Sequence, residues 1–292
     1  MHILLTGGSG FIGKNIVEQL GSIYTILAPS HAELELTDTD TVKNYLETHP
    51  VDIVIHAANR GGTRVQKDQT GVAVENLRIF YNLIEAKSYY KRLIVLGSGA
   101  EYNKRLSLHQ VSENFFGTSI PVDEYGMYKY VSAKFAEHVD YITYLRLFAV
   151  FGKYEDYRIR FISNAICKAL LGLPITIRQN VVFDYLYIND FISILKNAID
   201  NPAGERIYNV GSGEPIDLYT IAKKIIHILK KDVPIIITED GLGNEYSPDI
   251  SRLKKIYPNG KVMAFDEALE ELIEYYKSTI STLDKREFYT DL

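Results

Sequence analysis

Apolar positions along the chain gather into short runs, and stretches of helical periodicity separate one run from the next. The runs at 3–6, 24–27, 52–56, 92–96 and 142–148 are rich in Ile, Val and Leu and alternate little. That is the pattern of strands covered on both faces. Helical patterns fill 11–20, 40–47, 73–88 and 125–139 between them. Strand and helix in regular alternation predict a parallel sheet wound with crossover helices, an α/β fold of the doubly wound Rossmann type. After residue 148 the rhythm changes. A helix over 158–171 stops at Gly172 with Pro174 just beyond, a usual stop signal. Strands at 181–188 and 207–210, a helix at 218–229, a strand at 234–238 and a helix at 265–276 complete the pattern. The expected organisation is a sheet domain over 1–150, marked as dinucleotide-binding by the glycine loop at 6–13, with a returning segment near 181–210. Residues 151–180 and 211–292 would form a smaller, discontinuous α/β substrate lobe.

The first run leads directly into Thr6-Gly7-Gly8-Ser9-Gly10-Phe11-Ile12-Gly13. Gly7 permits a tight turn, Gly10 lets the backbone approach a pyrophosphate, and Gly13 lets helix pack on strand. The phosphate then meets the helix N-terminus at Phe11 and Ile12, where free N–H groups and the helix dipole favour negative charge. A glycine-rich stretch alone is weak; between a strand and an amphipathic helix it is specific. The second strand ends Leu27-Ala28-Pro29-Ser30-His31, without the acidic residue that bonds the adenosine ribose in many NAD enzymes. Glu33 and Glu35 come later. Ser30 and His31 could contact a 2′-phosphate, although no Arg stands with them, so NADP(H) is favoured over NAD(H).

Candidate chemistry lies on the helix over 125–139. Tyr125 and Lys129 are four apart and share one face. An ammonium beside a phenol favours the phenolate, so such a tyrosine can exchange a proton with a substrate alkoxide near neutral pH. Lys129 could also hold the nicotinamide ribose. Tyr130 and Lys134 have the same spacing, and spacing alone does not choose. Gly126 and the position at the helix start favour the first pair. Ser98, delivered by the run at 92–96, sits where ligands bind in parallel sheets and could hydrogen-bond the reacting oxygen.

Composition narrows the field further. A chain of 292 residues with 46% hydrophobic residues can bury a full α/β core and a second lobe. Its formal net charge of −5 does not suggest a nucleic-acid or anionic-membrane partner. Met1 runs straight into a strand without a basic or apolar leader, and the lone Cys167 reads as a small packed hydrophobe; both fit a cytoplasmic protein. No metal is expected.

Together these residues resemble the extended short-chain dehydrogenases of the NAD-dependent epimerase/dehydratase family, which act on nucleotide sugars. The markers are the glycine loop, His56-Ala57-Ala58, Leu96-Gly97-Ser98 with Tyr102, Tyr125 through Lys129, Arg146-Leu147-Phe148 with Phe151-Gly152, and the stretch from Phe183-Asp184-Tyr185 to Asp190. Within the family the chain looks most like the GDP-fucose synthase branch, which reduces a 4-keto-6-deoxy sugar. The resemblance implies Ser98, Tyr125 and Lys129 as the catalytic trio, Asp38 near the adenine, and Ala57 and Ala58 along the cofactor. It also implies a homodimer through the helices at 73–88 and 125–139. The chain departs from the branch where that branch epimerises: Ala100 replaces a cysteine and Arg160 aligns with a histidine. Gly99-Ala100 also lacks the Asp-Glu pair of the 4,6-dehydratases, and Phe183 replaces an arginine that holds substrate phosphate. Arg160 and Arg178 are left as candidates for that grip, although an arginine in either place is more often a solvated surface residue. The expected activity is NAD(P)H-dependent reduction of the C4 ketone of a nucleotide-linked 4-keto-6-deoxy sugar. The alternatives are a 4-epimerase with retained NAD and a non-catalytic NAD(P)-binding protein.

Overall fold

A computed structural model describes residues 1–61, 70–202, 205–258 and 260–288. The first half runs β1 (His2–Thr6), α1 (Phe11–Leu20), β2 (Thr25–Leu27), α2 (Thr39–Thr48), β3 (Ile53–His56), α3 (Val72–Glu85), β4 (Arg92–Ser98), β5 (Leu108–Val111), α4 (Glu124–Ala136) and β6 (Ile142–Leu147). Then follow β7 (Ala149–Phe151), α5 (Phe161–Leu170), β8 (Ile175–Asn180), β9 (Val182–Tyr187), α6 (Ile188–Asp200) and β10 (Ile207–Val210). The chain continues with β11 (Pro215–Asp217), α7 (Leu218–Leu229), β12 (Ile235–Leu242), β13 (Tyr246–Pro248), α8 (Ser251–Ile256) and α9 (Phe265–Thr279).

Six strands form one parallel sheet in the order β2-β1-β3-β4-β6-β10. The lack of alternation in the sequence has a direct cause. Ile3 and Leu5 of β1 enter one apolar core while Leu4 enters the other, and Ile53, Ile55 and Val54 of β3 divide the same way. Both faces are covered, so successive positions 3–5 and 53–55 are all apolar. Strand order reverses beside β1, between β1 and β3, and ligands bind at such a switch point outside the carboxyl ends of the strands.

A second sheet has the order β11-β9-β13-β5, with β7 also paired to β9, while β8 and β12 form a two-stranded ribbon. The segment 181–210 therefore divides. Its β10 pairs with β6 of the large sheet, whereas β9 pairs with β7, β11 and β13. The short strands β5, β7, β11 and β13 have no counterpart in the apolar pattern, because three or four residues cannot display a period. The helix read from 158 begins at Phe161, since Arg160 is already extended and serves as its N-cap residue. Cys167 is fully buried in the α5 packing. No helix among the described residues is long and apolar enough to cross a membrane.

Candidate active site

The glycine loop is shaped by close backbone approaches. Gly7 has φ +76°, and a Cβ there would lie 2.7 Å from the Ala58 nitrogen. A Cβ on Gly13 would lie 2.1 Å from the Gly7 carbonyl oxygen. Thr6 Oγ1 completes the junction, 2.9 Å from His56 Nδ1 and accepting from Ala58 N at 3.2 Å. Burial drives His56 down to about 3, with the Lys129 charge adding to the effect, so the ring stays neutral. Helix α1 begins at Gly10 with no side-chain cap and no acidic residue in its first turn. Its leading N–H groups are left for an anion. These features fit a dinucleotide pyrophosphate.

A cleft of about 490 Å³ opens beside this loop. Phe11, Ile12 and Ala57 line it together with Ser98, Tyr125 and Lys129, so the sequence-derived trio and part of the cofactor set share one cavity. Asp123 caps α4 by accepting from Gly126 N at 2.9 Å, which fixes Tyr125 in the first turn. Tyr125 is half-buried, and its ring meets Tyr128 edge-on at 5.5 Å. Lys129 is buried, and its Nζ donates to the Leu96 carbonyl at 2.6 Å. Burial lowers it to about 8, against the attraction of Glu101. The simple expectation of a phenol acidified by its neighbour is not met. Burial raises Tyr125 above the ordinary phenol value, and a hydrogen bond from Ser98 only partly offsets this. A buried ammonium seeks the nearest oxygen, and here that is Leu96. Tyr130 packs on Phe116 at 5.0 Å between ring centroids and Lys134 pairs with Glu137 at 2.8 Å, so the second pair serves another face of α4.

Ser98 ends β4 and caps the turn that follows. Its Oγ accepts from Ala100 N at 3.2 Å, and its own N donates to Glu101 Oε1 at 2.9 Å. Glu101, 0% exposed, takes Arg146 Nε at 2.6 Å, and Arg146 is 1% exposed. Arg146 continues to the Tyr102 hydroxyl at 3.3 Å, and Tyr102 donates to Asn209 Oδ1 at 2.7 Å. Burial pushes the Glu101 carboxyl up, and the Arg146 guanidinium opposes it. The turn carrying Ser98 thus stands on the buried Glu101–Arg146 ion pair between the end of β4 and β6, which Tyr102 extends by a hydrogen bond to Asn209 of β10.

The remaining sequence candidates scatter. Arg160 lines the cleft, as does Lys104. Arg178 does not reach it: on β8 it is exposed and pairs with Glu239 at 2.7 Å. Asp38 caps α2 by accepting from Thr41 N at 2.7 Å. Ser30 donates through both N and Oγ to Glu33 Oε2 at 2.7 Å. A carboxylate therefore does return to the end of β2, by a tight turn that linear spacing hides. His31 Nε2 lies 3.2 Å from Arg60 Nη2, an arginine brought from the loop after β3. Sequence reading also missed Glu155, a buried cleft residue that accepts from Ser163 Oγ at 2.7 Å. Burial raises Glu155 to about 7, against the Ser163 bond and the Arg160 charge. Tyr246, from β13, is another omission. Nothing local marks either one.

Comparison with known proteins agrees with this geometry. The profile of the NAD dependent epimerase/dehydratase family matches residues 3–211. A GDP-L-colitose synthase from Yersinia pseudotuberculosis is 25% identical over 253 residues, covering 78% of this chain and 82% of that protein. A GDP-mannoheptose C4 reductase from Campylobacter jejuni with NADP bound superposes with a TM-score of 0.82 at 17% identity, over 94% of this chain and 98% of that one. A Thermus thermophilus UDP-glucose 4-epimerase in complex with NAD gives a TM-score of 0.80 at 22% identity, over 95% and 99%. At such identities the superpositions speak for the fold. Glycine loop, cleft and matched profile together make the chain a member of the NAD dependent epimerase/dehydratase family, the NAD(P)-dependent nucleotide-sugar enzymes of the extended short-chain dehydrogenase type.

Proposed function

We propose that this protein reduces the C4 ketone of a nucleotide-linked 4-keto-6-deoxy sugar, with NADP(H) as cofactor. One observation carries the reading: Ser98, Tyr125 and Lys129 meet in the cleft beside the glycine loop, while position 100 is Ala and position 160 is Arg. An epimerising acid–base pair in those two places is absent from the sequence. The dinucleotide, held by the loop, Ala57 and Ala58, supplies the hydride when bound. Tyr125 gives its phenolic proton to the oxygen as the carbonyl becomes an alkoxide. Ser98 aligns that oxygen, and Lys129 balances the phenolate left on Tyr125. Placement within the cleft and preorganised charge carry the rate. Lys104 and Arg160 are the cleft cations available to a nucleoside diphosphate. Arg60 beside His31 supplies the positive charge for a 2′-phosphate.

Glu33 at Ser30 favours a second reading, a 4-epimerase that retains NAD, because a carboxylate there suits a free ribose 2′-hydroxyl. One assay separates them. Purified protein is given NADPH or NADH with a panel of 4-keto-6-deoxy sugar nucleotides, and absorbance follows cofactor oxidation. Stoichiometric NADPH loss supports the reductase; tightly held NAD and sugar interconversion without net loss supports the epimerase.

The reductase carries a pH signature. Lys129 is charged below about 8, so kcat/KM holds level below that value and falls tenfold per pH unit above it. A profile level through pH 9.5 would remove Lys129 from the reaction.

The same reading includes a homodimer through α3 and α4. Val74 and Tyr81, seven apart on α3, expose 63% and 38% of their surface on one helical face. Sedimentation should give twice the chain mass of 33.2 kDa; a monomer at micromolar concentration would end this part of the proposal.

A further inference from the structure

We propose that Glu155 is a specificity-determining residue whose carboxyl accepts a hydrogen bond from a hydroxyl of the substrate's sugar ring. The inference rests on the cleft being the sugar-nucleotide site, as above. Glu155 lies in the turn between β7 and α5, and that turn is shaped to bring its side chain inward. A Cβ on Gly152 would lie 2.3 Å from Ile188 Cγ2, so the chain passes α6 too closely for any side chain. Tyr154 has φ +71°, a left-handed conformation that a bulky residue adopts only where its surroundings enforce it. Those surroundings belong largely to α1. Asn15 Nδ2 donates to the Lys153 carbonyl at 3.0 Å, and Lys153 Nζ reaches Glu18 Oε1 at 2.6 Å. The Tyr154 ring meets Tyr275 of α9 edge-on at 6.0 Å. The turn thus leaves Tyr154 38% exposed and Glu155 only 7% exposed. Glu155 lines the same cleft as Ser98, Tyr125 and Lys129.

The protein satisfies only half of this carboxyl. Ser163 Oγ donates to Oε2 at 2.7 Å, and Oε1 has no donor among the described residues. Arg158 is spent elsewhere, forked onto Asp156 through Nε and Nη2 at 2.8 Å each. Arg160 acts on Glu155 as a more distant charge and makes no ion pair with it. A buried carboxyl without a counter-charge costs free energy until a donor reaches it. The diphosphate cannot be that donor, since it is anionic and suits Lys104 and Arg160 instead. A sugar hydroxyl can, because a carboxyl accepts from it whether ionised or neutral. Fastened to α1 and α9, the carboxyl is placed before the sugar arrives.

Glu155→Ala and Glu155→Gln are compared with the wild type by calorimetry, using UDP-glucose, GDP-mannose and the bare diphosphates UDP and GDP. Binding needs no turnover, so it judges Glu155 separately from the proposed reduction, which cofactor consumption judges. Glu155→Ala should weaken the better-bound sugar nucleotide about tenfold, the worth of one hydrogen bond to a carboxyl, and its matching diphosphate less than about twofold. Glu155→Gln keeps an acceptor and should lose less. The unfolding midpoint should not fall in Glu155→Gln, because the change removes a buried carboxyl that has no counter-ion. On any sugar nucleotide the wild type converts, KM should rise with the loss of affinity while kcat changes less. Wild-type affinity for the sugar nucleotide in Glu155→Ala, an equal loss for the bare diphosphate, or a loss confined to kcat would each overturn the inference.

Discussion

Tyr125→Phe should abolish turnover while NADPH still binds. The substitution keeps the ring edge against Tyr128 and removes the proton donor alone. General acid catalysis contributes roughly 10² to 10⁴ in rate, so kcat should fall by about that factor. Cofactor affinity should change little, because the glycine loop, Ala57 and Lys129 are untouched. Fluorescence titration with NADPH beside steady-state kinetics separates the two quantities. Retained activity would move the proton donor elsewhere, with Tyr130 excluded by its packing on Phe116 and Tyr246 next in line.

Glu101→Ala should unfold the protein at a markedly lower temperature. It leaves the Arg146 guanidinium, 1% exposed, without its counter-charge. Breaking one side of a buried pair costs about 3–5 kcal/mol, which for a domain of this size lowers the midpoint by roughly 10 °C. Glu101→Gln keeps an acceptor for the Ser98 N–H and should lose less. Activity of both variants, measured well below their midpoints, should fall as well, since Glu101 pins the turn carrying Ser98. An unchanged midpoint for Glu101→Ala, read by calorimetry, would mean that the ion pair does not support the loop.

The parts of this site that were legible in the sequence are those written in local spacing. The glycines announce themselves because turn, phosphate approach and helix packing each need one within a few residues. Tyr125 and Lys129 show as a helical pair, and the buried strands show as unbroken apolar runs. What stayed hidden depends on distant segments meeting. Glu33 folds back onto Ser30, and Arg60 crosses from the loop after β3 to His31. Arg178 looked as suitable as Arg160, yet the ribbon of β8 and β12 carries it away to Glu239. The acidity of Tyr125 was hidden for another reason. It is a balance of burial against the Ser98 hydroxyl and the Arg160 charge, and the spacing to Lys129 reveals none of these.

The most direct test of the central claim is hydride tracing. The protein is incubated with NADPH carrying deuterium at the transferable nicotinamide position and a 4-keto-6-deoxy sugar nucleotide, and the product is analysed by mass spectrometry and NMR. The account predicts one deuterium per product, bound at sugar C4, with one NADP⁺ formed for each. A product without label, or label-free interconversion of sugars with no cofactor oxidised, would contradict it.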